Sequence, residues 1–328
     1  MKKERQKTIP TILKRFAQSL GTEVKNSKLV IPKKYGSGYC KGFAFNEHIR
    51  MLISNYELHN DMLIENPEVN ASGRMLFFKF QNIIPLSADL SAASISTSMP
   101  SVLIATSRLH TDEVISIHSN MATINIEMDV DYLNKLFDVP KKSLVLQSLL
   151  ENSQPLLFEQ IIYPSLQNIL NEIMNEKVDA SFELFFLRIK AEELICRLLM
   201  ELEKRDETNI YALNGEDIQS IYRVKEKMLA NLGTPPVLQE LAIHVNMSPS
   251  KLKRLFKQIF GNSIFNYYQH FRMKEAARLL KEEKLSVSEV GYQLGFENLS
   301  HFSRVFEEHI GVKPKKWSML NFKSTNMP

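Results

Sequence analysis

The side chains best suited to chemistry in this 328-residue chain are cations and hydrogen-bond donors on two helical faces near the C-terminus. The first face carries Ser250, Lys251, Lys253, Arg254 and Lys257. The second carries Asn298, Leu299, Ser300, His301 and Arg304. Guanidinium and hydroxyl groups near a helix N-terminus can donate to base edges in a major groove, and lysines can neutralise phosphates. Nothing comparable points to catalysis. His48, His59, His110 and His118 lack the pair spaced two apart that a metal-binding β-barrel would need. There is no G-x-S-x-G elbow, phosphate-binding glycine loop or Cys-x-x-Cys pair. The expectation is no catalytic residue, no metal and no cofactor.

The elements that must position these faces repeat. Leu238, Glu240, Leu241, Val245 and Met247 match Val287, Glu289, Val290, Leu294 and Phe296 at an offset of 49. Leu252, Arg254, Leu255, Phe256 and Gly261 match Phe302, Arg304, Val305, Phe306 and Gly311 at an offset of 50. Each copy reads as a short helix, a tight turn and a second helix. Ser248 caps the first of these second helices, with Pro249 at its first position. Asn298 or Glu297 occupies the capping region of the other. Gly261 and Gly311 end them. The spacer, 264–283, reads as one helix about 30 Å long. That length suits two readers placed one DNA turn, about 34 Å, apart.

Charge supports the same end of the chain. Residues 216–328 hold 17 lysines and arginines against 11 carboxylates, an excess of +6, while the remainder is −2. This is a modest footprint for nucleic acid. No apolar run is long enough to span a bilayer, and Lys14, Arg15 and Gln18 interrupt the N-terminal apolar residues where a signal peptide would be continuous. Cys40 and Cys196 lie far apart and suit a reduced cytosol, with Cys40 a small buried hydrophobe.

The rest of the chain predicts a β-rich region followed by helices. Residues 1–38 read as a lead-in ending in a turn at Gly36-Ser37-Gly38. Strands are expected at 49–53, 75–80 and 102–105, and a pair at 114–117 and 123–126 turns near Ser119-Asn120. A short helix is expected over Asp131–Phe137, then amphipathic helices over 156–175 and 181–204, the latter capped by Ser181. The overall reading is a multidomain α+β chain. It has a β-rich barrel or sandwich over 1–138, a helical interface over 139–205, a linker over 206–215, an all-α domain over 216–322 with two helix-turn-helix units, and a tail over 323–328.

At residue level, MSPSKLKRLFKQIFG, FRMKEAARLL and VSEVGYQLGFENLSHFSRVFEEHIGVKPKKW resemble the AraC/XylS family of regulators over about a third of the chain. The resemblance implies two recognition helices entering successive major grooves of double-stranded DNA. It places Ser250, Lys251, Lys253 and Arg254 in the first and Leu299, Ser300, His301 and Arg304 in the second. Leu299 and Glu297 depart from good donors there. The resemblance also implies a cytoplasmic regulator that acts as an activator, with RNA polymerase as partner. Its N-terminal region is similar to cupin-like sensors, and GYCKGFAFNEHIRMLISNYELHND resembles the siderophore-responsive branch. A small-molecule effector, an iron-siderophore among the candidates, and a homodimer through 156–204 follow from that resemblance. Tyr39, Phe43, Phe45, Phe78 and Phe80 are candidates to line an effector pocket or the core. The competing reading is an enzyme or signalling module carrying a DNA-binding tail.

Overall fold

Alternation of apolar positions builds the N-terminal sheet. In the strand β5 (Met75–Gln81), Leu76, Phe78 and Phe80 are buried while Met75, Phe77, Lys79 and Gln81 are half-buried. That is the period of two a pleated strand imposes. The structure is a computed structural model describing residues 9–60, 62–65, 74–83, 99–107, 109, 114–117, 120–136 and 142–320. They form two units, one ending at Asn214 and the other beginning at Gly215. His110, His118, Ser119 and Phe137, and the boundaries expected at 138 and 322, lie outside the described residues.

The other strands are β1 (Lys28–Val30), β2 (Gly36–Ala44), β3 (Ile49–Leu58), β4 (Met62–Glu65), β6 (Ser101–Thr106), β7 (Val114–Ile117), β8 (Asn120–Asp129) and β9 (Leu157–Ile161). Seven of them form one antiparallel sheet in the order β1-β2-β3-β8-β5-β6-β9, and β4 pairs with β7. The pair expected between 114–117 and 123–126 does not form. β8 instead lies between β3 and β5, where Ile124 faces Ile53 and Phe80, and Ile126 faces Met51 and Phe78. Burying these rows on both sides outweighs a local hairpin. The expected turn at Gly36-Ser37-Gly38 is the start of β2. Gly38 has φ of +100°, and a Cβ there would overlap the Asn55 carbonyl oxygen. Glycine thus serves close strand approach, not chain reversal.

Helices α2 (Val130–Leu136), α3 (Leu144–Glu151), α4 (Pro164–Asn175) and α5 (Glu183–Glu203) share a core with one sheet face. Leu187, Ala191, Leu194, Ile195, Leu198 and Leu202 form the buried side of α5. Helix α1 (Thr11–Ser19) belongs to a second cluster with Cys40, Tyr56 and Leu58. The helix expected over 156–175 begins only at Pro164, because its first residues form β9 against β6. Proline removes a helical N–H donor and favours extended backbone before it, and Tyr163 is extended. Ser181 does not cap α5. Its backbone N–H and hydroxyl donate to Asp179 Oδ1 at 2.8 and 2.6 Å, and the helix starts two residues later. The expected linker is tied to the N-terminal unit: Ile210 packs on its core, and buried Leu213 donates its N–H to the Pro155 carbonyl at 2.9 Å.

The second unit is helical: α6 (Gly215–Leu229), α7 (Leu238–His244), α8 (Pro249–Phe260), α9 (Ile264–Lys281), α10 (Val287–Gln293), α11 (Leu299–Ile310) and α12 (Pro314–Met319). Central α9 has 18 residues and packs against α8, α10, α11 and α12. It buries Tyr267, Tyr268, Phe271, Met273 and Leu280, each side chain contributing roughly 1.5–3 kcal/mol. Half-buried Trp317 on α12 donates its indole N–H to the Ala277 carbonyl at 2.9 Å, and the Lys281 ammonium lies 5.3 Å from its ring.

Candidate nucleic-acid interface

Local chemistry fixes the first outward face. The Ser248 hydroxyl accepts the Lys251 N–H at 3.3 Å and Pro249 occupies the first turn of α8. Gly261 ends the helix at φ +68°, its N–H donating to the Lys257 carbonyl at 2.7 Å. Between these caps Leu252, Leu255, Phe256 and Ile259 are buried. Ser250, Lys253, Arg254 and Lys257 are consequently exposed on the opposite side. The second face repeats the device. Asn298 Oδ1 accepts the N–H groups of Ser300 and His301 at 2.9 and 3.1 Å, and Gly311 ends α11 at φ +85°. Phe302, Val305 and Phe306 point inward, while Ser300, His301 and Arg304 are exposed. Positive helix N-termini lie at both faces and favour anions.

Two candidates, Lys251 and Leu299, are placed differently from expectation, while Asn298 sits in the capping region expected of it. Lys251 is half-buried, and its ammonium bonds Asp217 Oδ1 of α6 at 2.7 Å. Its charge braces α6 against α8. Leu299 packs between helices, since a Cβ added to Gly291 of α10 would lie 2.6 Å from Leu299 Cδ2. Its apolar body suits that contact. Asn298 spends its carbonyl oxygen on the cap. His301 remains exposed, with its ring 5.7 Å from Phe296 at 68°. Ser250, Lys253, Arg254 and Lys257 thus stand on one outer face, and Ser300, His301 and Arg304 on the other.

The support beneath the faces contains groups that sequence reasoning missed. Arg272 of α9 is buried. Its Nε donates to the Leu294 carbonyl at 2.8 Å, its Nη1 donates to Gln269 Oε1 at 3.2 Å, and its guanidinium lies 3.7 Å from the Phe296 ring centroid. It therefore holds the turn between α10 and α11. Burial lowers its pKa from the ordinary guanidinium value, opposed by Tyr268. The Tyr268 hydroxyl donates to the Leu232 carbonyl at 2.6 Å, anchoring the segment between α6 and α7. The available signal was an arginine and a tyrosine embedded in the apolar run of α9. Nearby, His270 Nε2 is buried without a hydrogen-bond partner among the described residues. Burial, then Lys274 and His309, push its pKa down to about 4.

Four of the five aromatic candidates of the N-terminal unit belong to, or pack on, one core. Phe43, Phe78 and Phe80 are buried in the core shared with the helices. Phe45 packs on that core and stacks on Phe43 at 6.3 Å. Tyr39 lies 4.5 Å below the Lys28 ammonium. His48 stacks on Tyr132 at 4.9 Å, with Nδ1 3.7 Å from Asp129. His59 is exposed. Among the described residues, no three His, Cys, Asp or Glu side chains are grouped to hold a metal ion. Among them also, no helix is long and apolar enough to cross a membrane.

Residues 241–319 match the helix-turn-helix domain family. HTH-type transcriptional regulator GbdR of Pseudomonas aeruginosa strain UCBPP-PA14 is 36% identical over 101 residues, 31% of this chain and 28% of the relative. HTH-type transcriptional activator RhaR of Escherichia coli O139:H28 is 27% identical over 143 residues, 44% of this chain and 51% of the relative. The chain thus matches from about a quarter to half the length of these relatives. A solved transcriptional regulator from Chromobacterium violaceum, described as AraC-type DNA-binding domain-containing, is 28% identical, covering 32% of this chain and 94% of that chain with a TM-score of 0.30. Over residues 241–319 this chain thus carries a helix-turn-helix domain similar to those of transcription regulators.

Proposed function

We propose that this protein is a sequence-specific, double-stranded-DNA-binding transcription regulator, working as an activator with RNA polymerase and tuned by a small molecule held in the N-terminal unit. The observation that carries the DNA-binding reading is the duplicated pair of capped helices, α8 and α11. Each presents an arginine, Arg254 or Arg304, on its exposed side. Arginine can donate two hydrogen bonds to guanine, while lysines such as Lys253 and Lys257 suit phosphate. The relatives' descriptions as transcriptional regulator and activator agree with this reading. The two helix pairs act as paired readers of successive major grooves.

The N-terminal unit acts as the sensor in this reading, with its sheet forming a cupin-like receptacle. A second copy of the chain packs on α5. Phe182 and Phe185 are 63% and 66% exposed, and Ile189 and Met200 are also exposed at helical spacing. The inward side of the same helix is already occupied by its own sheet. Effector binding shifts the chain toward the arrangement that binds the operator better, as any ligand with differential affinity must.

Footprinting on the best fragment from a genome-wide DNA pull-down tests the reading. Two protected major-groove patches one turn apart, repeated once for a dimer, are expected. Uniform protection that vanishes with salt, with or without cell-extract small molecules, would remove specific regulation as the function.

A further inference from the structure

The two faces of the large sheet are finished differently. Helices α2–α5 share a core with one face. On the other, register aligns polar side chains across strands. Lys79 of β5 stands between Asn125 of β8 and Leu103 of β6, and Gln81 stands between Thr123 and Ser101. Ser54 of β3 continues the latter row beyond Thr123. Several groups are matched within the face: Gln81 Nε2 donates to Ser101 Oγ at 3.1 Å, and Cys40 Sγ lies 3.2 Å from Ser54 Oγ. Arg50 faces Glu127, with 3.8 Å between their charged groups.

Two neighbouring groups are left over. Among the described residues Lys79 has neither an ion pair nor a hydrogen bond, and the buried Thr123 hydroxyl has no hydrogen-bond partner. They are diagonal neighbours across β5 and β8, with backbones roughly 7–8 Å apart, within reach of one small group. The carboxylate residue Glu159 is two strands from Lys79, about 10 Å away. Burial lowers the Lys79 pKa below the ordinary lysine value, because removing an ammonium from water without an anion is costly. A bound anion would relieve that cost.

We propose that this sheet face binds a small organic monocarboxylate, with Lys79 pairing the carboxylate, Thr123 and Asn125 donating to its oxygens, and Phe77 and Leu103 contacting its apolar body. One unpaired cation matches one negative charge; a phosphate dianion would remain under-neutralised beside neutral amide and hydroxyl groups. Phe77 shares the outward side of β5 with Lys79, and Leu103 faces Lys79 directly. The site rests on the sensor reading above and names its ligand class.

Calorimetric titration of the full chain with octanoate, its uncharged methyl ester and inorganic phosphate tests the proposal. Octanoate is expected to bind saturably, with the ester and phosphate at least tenfold weaker. Lys79→Met should weaken octanoate binding about tenfold or more, while Lys79→Arg retains binding within a few-fold. Thr123→Val should weaken it a few-fold and supplies the test if Lys79→Met does not fold by circular dichroism. No octanoate binding, equal ester binding, tighter phosphate binding, or wild-type affinity in folded Lys79→Met or Thr123→Val would overturn the site. A parallel operator titration separates the two readings: saturating octanoate that leaves operator affinity unchanged overturns the sensor role while the binding site stands.

Discussion

The pairs α7–α8 and α10–α11 share a plan but build their turns and outer faces from different chemistry. At the equivalent turn position the first uses Asn246 at φ +53°, and the second Gly295 at φ +73°. Asparagine tolerates this left-handed conformation in the first turn. In the second, the Gly233 carbonyl occupies the space a Cβ would need, so only glycine fits. The outer face of α8 carries Lys253, Arg254 and Lys257, whereas α11 has Arg304 but also exposed Glu307 and Glu308. Electrostatic attraction is therefore concentrated in the first copy, while close backbone packing constrains the second.

The largest test of this contrast is Gly295→Ala, which should destabilise the C-terminal unit by on the order of 3–4 kcal/mol through left-handed backbone and overlap with Gly233. Asn246→Ala should cost only about 1 kcal/mol. Urea unfolding of the two variants should show the difference; equal losses would break the structural comparison. Next, Arg254→Ala should weaken operator binding by about 2–3 kcal/mol and Arg304→Ala by about 1–2 kcal/mol, within the range of specific base contacts. Competition binding against mutated operators checks this, and the reverse order would place the dominant reader in the second copy.

A smaller effect concerns pH. His270 neighbours His309 of the second copy electrostatically, and its folded pKa is about 4 against an ordinary 6.5. The unfolded chain takes up this proton first, so folding stability falls as pH drops from about 6.5 toward 4. His270→Phe should flatten that dependence by on the order of 1–2 kcal/mol. Denaturation midpoints across this pH range test the contribution; an unchanged slope would discard it. Smallest is Asp217→Asn. Releasing Lys251 from the 2.7 Å ion pair should tighten operator binding about twofold and steepen its logarithmic salt dependence by roughly 0.9. An unchanged slope would leave Lys251 as a brace alone.

Much of the C-terminal arrangement is legible because its determinants are local. Ser248-Pro249 and Asn298 begin α8 and α11, and Gly261 and Gly311 end them. Buried phenylalanines and leucines then set the outward sides. The Lys251–Asp217 pair, the Leu299–Gly291 packing and the Arg272–Leu294 hydrogen bond are harder to read because their partners lie on other helices. The N-terminal sheet is less legible for the same reason. Apolar alternation marks β3, β5 and β8, but does not assign β8 between them. A helical pattern also spans β9 and α4 until Pro164 breaks it. Lys79 gives no sequence signal of binding: its significance comes from Asn125, Leu103 and the orphan Thr123 brought alongside by register.

Trp317 makes the two units optically unequal. It is the chain's one tryptophan, docked through its indole N–H onto α9. Selective excitation near the red edge of indole absorption therefore follows solvent entry beneath α12 while tyrosines elsewhere stay nearly silent. Far-ultraviolet dichroism, by contrast, sums the backbone of both units. Recorded on one sample, the two signals should separate melting of the C-terminal unit from melting of the N-terminal unit without cutting the chain or adding a dye.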